Sequence, residues 1–283
     1  MAEDETEQPV FETSTGPVRV ITAASLFDGH DAAINVMRRL IQSSGAEVIH
    51  LGHDRSAKDV VDCAIQEDAH AIALTSYQGG HVEYFTYIRQ LLDEAGCEHV
   101  RIFGGGGGTI TPPEIRDLHQ AGISKIYSPD DGRKMGLMGM IHHLMGLAAE
   151  VDLISNERMK SLKGPVTAND MADVGLLLTL SESADEASFK SMLELCRSSN
   201  KEVPVIGFTG TGGAGKSSLL DELMLRIQRD NPGKKVCLLC VDPTRKRTGG
   251  ALLGDRIRMN SLSNNGLYMR SLASRGSGSE ISA

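Results

Sequence analysis

Residues 18–149 repeat one pattern five times: a short apolar run rich in branched residues, then a stretch with helical spacing. The apolar runs are VRVITAA, AEVIHLG, AHAIALTS, HVRIFGG and ISKIYS. Alternation of this kind predicts an α/β domain in which helices cover both faces of a parallel sheet. The length suits a flavodoxin-like (Rossmann-like) fold with a five-stranded parallel sheet. Ligands of such folds bind at the carboxyl ends of the strands, so the loops that follow the strands should share one rim.

Polar residues and glycines follow three of these strands. His30 lies in DGHDAA after the first strand, Ser76 in TSYQGGH after the third, and residues 104–106 in FGGGGG after the fourth. Asp28 precedes His30 by two residues, so its carboxylate can accept a hydrogen bond from one imidazole nitrogen and orient the other toward a metal ion. The alternative is a capped turn, in which Asp28 caps the next helix and His30 faces solvent. The residues alone leave both interpretations open.

A second strand–loop–helix unit begins at about residue 203. The apolar run PVIGFT precedes GTGGAGKS at residues 210–217, and the helical run SSLLDELMLRIQRD overlaps its end. The pattern G-x-x-x-x-G-K-[ST] between a strand and a helix predicts a phosphate loop, whose backbone N–H groups surround phosphate oxygens. Lys216 would contact the β and γ phosphates, and Ser217 would ligate Mg²⁺. A glycine-rich turn before a helix is the alternative, and it leaves the full pattern unexplained.

Two carboxylates follow the phosphate loop along the chain. Asp242 ends the predicted strand KVCLLCVD, and Asp255 lies in TGGALLGDRIRM. A carboxylate at a strand end beside a phosphate loop can hold Mg²⁺ or its water shell, whereas Asp255 could equally cap a helix. Neither a second acidic strand end nor a base-reading N-K-x-D motif occurs before Ala283, so we interpret the P-loop NTPase domain as incomplete.

Charge and composition exclude several classes of protein. The net charge is −8 and the pI about 5.6, so we expect no nucleic-acid partner, since such binding needs a basic face. No apolar run is long enough to cross a bilayer, and the acidic N-terminus lacks the apolar core of a signal peptide. The five cysteines are scattered, as is typical of a reducing compartment. We therefore predict a cytoplasmic protein with no membrane partner.

Composition and pattern divide the chain into four segments. The expected segments are a disordered acidic tail at 1–16, the β/α domain at 17–150, a helical connector at 151–202 and the P-loop domain at 203–283. Cys237 and Cys240 form a C-x-x-C inside a predicted strand, where residues three apart face opposite sides. We expect two core residues there and no metal site.

The rim segments resemble those of known cobalamin-binding domains. DGHDAA is similar to the D-x-H-x-x-G segment of domains that bind B12 base-off with a protein histidine on cobalt, and TSYQGGH and FGGGGG fall where those domains have S-x-L and G-G. Residues 18–149 resemble the B12 domain of the acyl-CoA mutases. Residues 203–275 resemble the GTPase chaperones that load those mutases, through GFTGTGGAGKSSL, VDPTRKRTGGALLGDRIRM and YMRSLASRG. This domain order is that of the fused isobutyryl-CoA mutases, and the resemblance covers nearly all of the chain after the acidic tail.

The resemblance implies a role for individual residues. His30 would be the lower axial ligand of cobalt, and Asp28 would be its hydrogen-bond partner. The slot for the displaced nucleotide tail of the cofactor would be lined by Ser76, Gly104, Gly105 and Gly106. GTP would be bound by Gly210, Gly212, Gly213, Gly215, Lys216, Ser217 and Ser218. Lys216 would also be the catalytic residue of GTP hydrolysis, and Mg²⁺ would lie near Ser217, Asp242 and Asp255.

Two positions depart from the family pattern. Ala33 stands where the general cobalamin segment has glycine, and Tyr77 and Gln78 follow Ser76, so the leucine of S-x-L is absent. An added methyl group at position 33 can tighten the turn, but it does not remove the histidine. His81, at the start of a predicted helix near the rim, is either a corrin contact or a residue without a ligand.

The resemblance also implies a reaction and partners. The full-length enzyme would bind adenosylcobalamin and convert isobutyryl-CoA into n-butyryl-CoA by a radical rearrangement of the carbon skeleton, with the GTPase gating cofactor loading. An adenosyltransferase would deliver the cofactor, and the full-length protein would be a homodimer. The rearrangement needs a CoA-binding barrel, which this sequence lacks, so we do not expect the chain alone to be a competent mutase. The second hypothesis is a non-catalytic B12 carrier or sensor with a nucleotide-binding module.

Overall fold

The computed structural model describes residues 9–162, 166–183, 190, 192, 203–245, 248–263 and 266–275. Helices and strands alternate through the first half of the chain, as predicted. The strands are β1 (Glu12–Thr13), β2 (Gly16–Pro17), β3 (Arg19–Ser25), β4 (Glu47–Arg55), β5 (Ala71–Thr75), β6 (Arg101–Gly105), β7 (Lys125–Tyr127), β8 (Val236–Asp242), β9 (Ala251–Leu253) and β10 (Leu267–Ala273). The helices are α1 (Asp31–Ser43), α2 (Ala57–Gln66), α3 (His81–Glu94), α4 (Pro112–Gln120), α5 (Pro129–Ala149), α6 (Asn156–Ser161), α7 (Met171–Ser183) and α8 (Lys216–Asp230). None of these helices is both long and apolar enough to cross a bilayer.

The main sheet is parallel, with the strand order β7-β6-β5-β3-β4-β9. The five strands from β3 to β7 therefore have the flavodoxin arrangement, in which the second strand lies outside the first and the others follow on the opposite side. This confirms the predicted α/β fold. The winding reverses between β3 and β5, so the loops after these two strands separate at the carboxyl edge. That edge is where such sheets bind ligands.

Two apolar clusters pack the helices against the two faces of this sheet. On one face Ile21 of β3 packs with Val60 of α2 and Phe85 of α3. On the other face Val20 belongs to a cluster with Ile141 of α5. Consecutive residues of β3 thus face opposite clusters, as the alternation of side chains along a strand requires. Burial on both faces holds β3 in place and fixes where its carboxyl end meets the rim.

The sixth strand of the sheet, β9, comes from the second half of the chain and was not predicted. Residues 251–253 pair in parallel with residues 47–49 of β4, at what would otherwise be an open sheet edge. Edge strands expose unpaired backbone groups, and β9 covers those of β4. The second half of the chain is therefore built directly onto the first.

A network of buried ion pairs also joins the two halves of the chain. Glu47, at the start of β4, pairs with Arg19 at 3.0 Å and with Arg275 at 2.7 Å. Glu182 of α7 pairs with Arg270 of β10 at 2.6 Å. Buried ion pairs contribute more to a specific geometry than to stability, because desolvation offsets much of their attraction. The network therefore fixes how the second half is oriented on the first.

The first described residues correct the expectation of a disordered tail at 1–16. β1 and β2 pair as a short antiparallel ribbon, and the Thr13 hydroxyl donates a hydrogen bond to the carbonyl of Gly16 at 2.8 Å. Gly16 adopts a φ of 101°, which only glycine adopts without strain, and Thr15 is buried. The tight turn and the buried threonine outweigh the polar composition. Residues 1–8 lie outside the described part of the chain.

The strand predicted at about residue 203 is also wrong. Residues 203–210 pair with none of the described strands, and the side chains of Val205 and Ile206 are 94% and 72% exposed. β8 pairs in parallel with β10 instead. An apolar run forms a strand only where a neighbouring strand supplies the hydrogen bonds, which local sequence does not reveal.

The stretch expected as a helical connector, at 151–202, contains α6 and α7. Most of residues 184–199 lie outside the described part of the chain, as do the residues after 275. Cys237 is exposed and Cys240 is buried on β8. The two thiols therefore face opposite sides of the strand, as expected, but only Cys240 is the core residue that was expected at both positions.

Candidate functional site

The loop between β3 and α1 holds an aspartate–histidine pair. His30 Nδ1 lies 2.8 Å from Asp28 Oδ1, and Asp28 is fully buried whereas 65% of the His30 side chain is exposed. When Nδ1 donates to the carboxylate, Nε2 carries the free lone pair. The helix begins with His30 as its N-cap and has no side-chain cap bond, so Asp28 does not cap α1. The arrangement is that of a histidine oriented for a metal ion.

Three hydrogen bonds hold Asp28 in its ionised form. Besides the imidazole, the backbone N–H groups of Tyr77 and His30 donate to its carboxylate at 2.6 and 2.9 Å. Burial opposes ionisation, but the hydrogen bonds from Tyr77 and His30 outweigh it and keep the pKa of Asp28 below its usual value. The ionised carboxylate accepts from Nδ1 and so holds the imidazole in one orientation. The bond to Tyr77 also joins the loops after β3 and β5 across the switch point of the sheet.

An apolar cavity of about 250 Å³ opens beside the pair. Tyr77 belongs to its wall, and the centroid of the Tyr77 ring lies 5.5 Å from that of His30. The cavity therefore starts next to the exposed imidazole and runs between the sheet and the helices α1 and α5. Its apolar wall includes Ile34, Met37, Phe103, Met140 and Leu144. A mostly apolar cleft with few polar groups suits the base or nucleoside part of a ligand.

The glycines at 104–106 belong to the lining of this cavity, and two of them lie where neighbouring atoms leave no space for a side chain. A Cβ atom at Gly106 would lie 1.9 Å from the carbonyl oxygen of Ser76, and one at Gly104 would lie 2.4 Å from the Phe85 ring. The backbone N–H of Ser76 donates to the carbonyl of Gly105 at 2.9 Å. The ends of β5 and β6 therefore approach so closely that no larger residue fits at position 106 without a backbone shift.

Ser76 does not line the cavity, which corrects our expectation for this residue. Its side chain is 1% exposed, and its hydroxyl oxygen accepts a hydrogen bond from the Ser25 hydroxyl at 2.9 Å. Thr75 and Tyr77 face the cavity in its place. Sequence analysis missed Tyr77, whose only signal was that it replaces part of the expected S-x-L pattern. His81 is buried too, with Nδ1 3.1 Å from the Gln78 carbonyl oxygen.

The phosphate loop precedes α8, as predicted. Gly213 and Gly215 have φ values of 80° and 86°, which glycine adopts without the strain that a side chain would bring. Lys216 Nζ donates to the carbonyl of Gly210 at 2.5 Å, so the ammonium group lies over the loop. Phosphate oxygens would replace this carbonyl as its partner. The other predicted residues of this segment, Gly212 and Ser218, lie in the loop and in the first turn of α8.

The structure brings the candidate magnesium ligands together. Ser217 Oγ donates to Asp255 Oδ1 at 2.8 Å, and Asp242 Oδ2 accepts from the Gly254 N–H at 3.1 Å. Burial and the nearby Asp255 carboxylate raise the pKa of Asp242 to about 6. Asp255 makes no cap bond to the following 3₁₀ turn. A hydroxyl and two carboxylates are the oxygen ligands that Mg²⁺ prefers.

Mg²⁺ binding to the GTP-loaded chain should weaken as the pH falls through about 6. The pKa of Asp242 is raised to about 6, well above the usual value for an aspartate. Its carboxylate therefore takes up a proton as the pH falls through this value. Mg²⁺ competes with that proton, so we expect its affinity to fall toward about tenfold per pH unit below this value. Calorimetric titration between about pH 5 and about pH 7 checks this, with Asp242→Asn expected to show a weaker pH dependence. If the Mg²⁺ affinity of the wild-type chain does not change over this pH range, Asp242 is not a ligand of the ion.

Arg256 joins the nucleotide site to the sheet domain, and sequence analysis missed it. Its guanidinium donates to Gln66 at 3.0 Å and to the carbonyl of Met269 at 2.7 Å, and it pairs with Glu67 at 3.1 Å. Arg256 directly follows Asp255 in the chain and is 6% exposed. Its partner Glu67 is 189 residues away in the chain, so no local pattern could mark it.

A second contact of the same segment reaches β4. A Cβ atom at Gly52 would lie 2.9 Å from Ile257 Cδ1, so the isoleucine packs against bare backbone there. Two residues further along, Asp54 accepts a hydrogen bond from the Phe27 N–H at 2.7 Å. Phe27 directly precedes Asp28. The segment beside the phosphate loop thus packs on the strand whose end contacts the histidine loop.

Known proteins match both halves of the chain. The B12 binding domain model matches residues 18–128, and the model of the methylmalonyl-CoA mutase-associated GTPase MeaB matches residues 174–283. The fused isobutyryl-CoA mutase of Geobacillus kaustophilus is 52% identical over 94% of this chain and 25% of that protein. The enzyme of the same description from Cupriavidus metallidurans is 51% identical over 94% of this chain and 24% of that protein.

A shorter relative covers the first half. The 2-hydroxyisobutanoyl-CoA mutase small subunit of Aquincola tertiaricarbonis is 36% identical over 40% of this chain and 82% of that subunit. By contrast, the chain spans about a quarter of the length of the fused mutases that it matches.

Proposed function

We propose that the chain belongs to the family of the fused isobutyryl-CoA mutases, since it matches the B12 binding domain and the MeaB GTPase, and that it binds adenosylcobalamin through His30. One observation carries this proposal: the exposed imidazole of His30 is bonded at Nδ1 to the buried Asp28 and lies beside an apolar cavity. Nε2 is thereby left as the cobalt ligand.

The residues around His30 fit the other parts of a cobalamin. The apolar cavity behind Tyr77 would hold the nucleotide tail of the cofactor. Gly106 allows the end of β6 to approach the Ser76 carbonyl, and Gly104 allows β6 to pack against Phe85. Asp28 keeps the imidazole in one tautomer, and its bond to the Tyr77 N–H holds the two loops in register.

The cofactor and the chain divide the chemistry. Bound adenosylcobalamin supplies the radical chemistry by which, in the full-length protein, the carbon skeleton of isobutyryl-CoA rearranges to that of n-butyryl-CoA. The chain's own residues would bind and orient the cofactor: His30 would hold cobalt, and Asp28 would hold the His30 imidazole in the required orientation.

The phosphate loop binds GTP with Mg²⁺ in this proposal. The Lys216 ammonium leaves the carbonyl of Gly210 for the β and γ phosphates and stabilises the charge that develops as GTP is hydrolysed. The Ser217 oxygen, which now donates to Asp255, would ligate Mg²⁺. Asp242 and Asp255 would hold the ion or its water shell.

GTPase gating of cofactor loading acts through the segment 251–258 in this proposal. Its first residues form β9 in the cobalamin sheet, Asp255 contacts the phosphate loop, and Ile257 packs on Gly52 of β4. Mg²⁺ ligation of Ser217 would remove its hydrogen bond to Asp255, which lies between β9 and Ile257 in this segment. β9 and Ile257 both pack on β4. The end of β4 contacts the histidine loop, so a shift of the segment would reach the cobalamin rim.

Family membership carries three further proposals. An adenosyltransferase delivers the cofactor, the full-length protein is a homodimer, and it is cytoplasmic. The described cysteines support the last, because Cys63 and Cys97 are buried free thiols of a kind that reducing compartments keep. The domain boundaries at 17–150, 151–202 and 203–283 are proposals too, with β9 as a contribution of the last segment to the sheet of the first.

Absorption spectroscopy tests the cobalamin proposal. We expect the purified chain to bind hydroxocobalamin and adenosylcobalamin with the spectrum of a base-off cofactor ligated by histidine, and His30→Ala to lose that spectrum. His53→Ala is the matched control, since His53 is an exposed histidine near the same rim. Mg²⁺–GTP should change the loading rate in wild type but not in Lys216→Ala. Identical titrations of wild type and His30→Ala overturn the proposal.

A further inference from the structure

Phe27 is an exposed aromatic residue in a strained backbone conformation. Its side chain is 78% exposed, and its φ is 62°, in the left-handed region. Single exposed apolar side chains are ordinary on protein surfaces. A bulky residue in the left-handed region is not ordinary, because its Cβ crowds the following carbonyl oxygen. Strain of this kind persists only where surrounding structure imposes it, and it clusters at ligand sites.

Asp54 imposes this conformation. Its Oδ1 accepts the backbone N–H of Phe27 at 2.7 Å, and Asp54 itself has a φ of 56°. Phe27 and Asp54 thus lie at the ends of two neighbouring strands, β3 and β4, and this hydrogen bond joins them. Nothing in the phosphate loop or the apolar cavity requires this clamp. Its result is to present the Phe27 ring to solvent at the rim.

The position of Phe27 relates the ring to the histidine ligand. Phe27 and His30 lie in one short loop, so their Cα atoms are at most about 11 Å apart. The residue next to Phe27 is the buried Asp28 that orients the imidazole, which fixes the loop at that point. A flat macrocycle bound through Nε2 of His30 would lie close to this loop. An exposed ring there gains an apolar partner when the macrocycle arrives.

We propose that Phe27, clamped by Asp54, is a contact residue for the lower face of the corrin, in addition to the His30 ligand. The inference rests on the proposed function, because it takes cobalamin as the ligand of His30. In this arrangement the strain in Phe27 serves binding: it aims an apolar ring at the ligand before the ligand is present. Preorganised contacts of this kind increase affinity because little ordering is left to occur on binding.

Substitutions at Phe27 separate the ring from the strain. Phe27→Ala removes the ring but keeps a Cβ in the left-handed conformation, whereas Phe27→Gly removes both. We expect both variants to bind hydroxocobalamin about tenfold more weakly, from the loss of part of an aromatic contact. Phe27→Gly should have the higher melting temperature of the two, because glycine adopts this conformation without strain. At saturating cofactor both should still show the histidine-ligated spectrum.

Two further variants complete the test. Asp54→Ala keeps the ring but frees the loop, so we expect weaker binding than in wild type, by less than in Phe27→Ala. Val36→Ala removes an apolar side chain that is 49% exposed on α1 and should bind as wild type does. Wild-type affinity in both Phe27 variants overturns the inference while leaving the histidine assignment standing. A wild-type chain that binds no cobalamin overturns the proposed function itself.

Discussion

Gly106→Ala is expected to lower the free energy of unfolding by about 3 kcal/mol and to disrupt the cobalamin rim. The new Cβ would lie 1.9 Å from the Ser76 carbonyl oxygen, a backbone atom that cannot rotate away. Either β5 or β6 must shift at its end. Because Tyr77 follows Ser76 and bonds to Asp28, that shift also reaches the histidine pair.

Denaturant unfolding and cobalamin titration of the same samples measure both effects. Gly108→Ala is the control, because nothing lies within 4 Å of a Cβ at that position. We expect it to change stability by less than about 0.5 kcal/mol. If Gly106→Ala is as stable as wild type and binds cobalamin as tightly, then the close approach of the two strand ends does not shape the site.

Lys216→Ala should weaken GTP binding by about a hundredfold in the presence of Mg²⁺, since hydrogen bonds to charged phosphates are among the stronger polar contacts. The ammonium group already lies over the phosphate loop, 2.5 Å from the Gly210 carbonyl oxygen, so the wild-type chain needs little rearrangement to bind phosphate. A fluorescent GTP analogue provides the measurement.

The control for this prediction is Lys234→Ala, an exposed lysine in the loop after α8. It should bind the analogue as wild type does, and both lysine variants should bind cobalamin normally in the absence of nucleotide. Equal GTP affinity in wild type and Lys216→Ala contradicts the phosphate-loop assignment.

Local patterns predicted the elements whose signals are local. The five apolar runs became the strands β3 to β7, and the helix predicted to start at His81 does start there. Asp28 and His30 are two residues apart, so their contact depends only on one loop and could be proposed from sequence. The phosphate loop was equally evident, because its glycines, lysine and serine follow one another directly in the sequence.

Contacts between distant segments could not be predicted. β9 is three residues long and pairs with β4 some two hundred residues earlier in the chain, so nothing around residues 251–253 indicates a strand. The run at 203–210 has a strong strand signal but finds no partner among the described strands. Strand formation depends on the neighbour as much as on the sequence.

The orientation of site residues was also beyond the sequence. Ser76 was expected in the cavity wall, but the loop turns it inward to Ser25 and presents Tyr77 instead. The left-handed φ of Phe27 has no local signal either, because phenylalanine rarely adopts it and Asp54 is supplied by another strand. Family resemblance identified which segments form the site, and the structure assigned the side chains that face it.

Electron paramagnetic resonance of cob(II)alamin bound to the chain tests the central claim most directly. A nitrogen ligand of cobalt splits each line of the cob(II)alamin spectrum. The splitting gives triplets with the natural isotope and doublets with nitrogen-15. With histidine alone labelled, we expect doublets in wild type and in His53→Ala, and no nitrogen splitting in His30→Ala. Triplets that persist in the labelled wild type would show that the cofactor keeps its own base, and His30 would then not be the ligand.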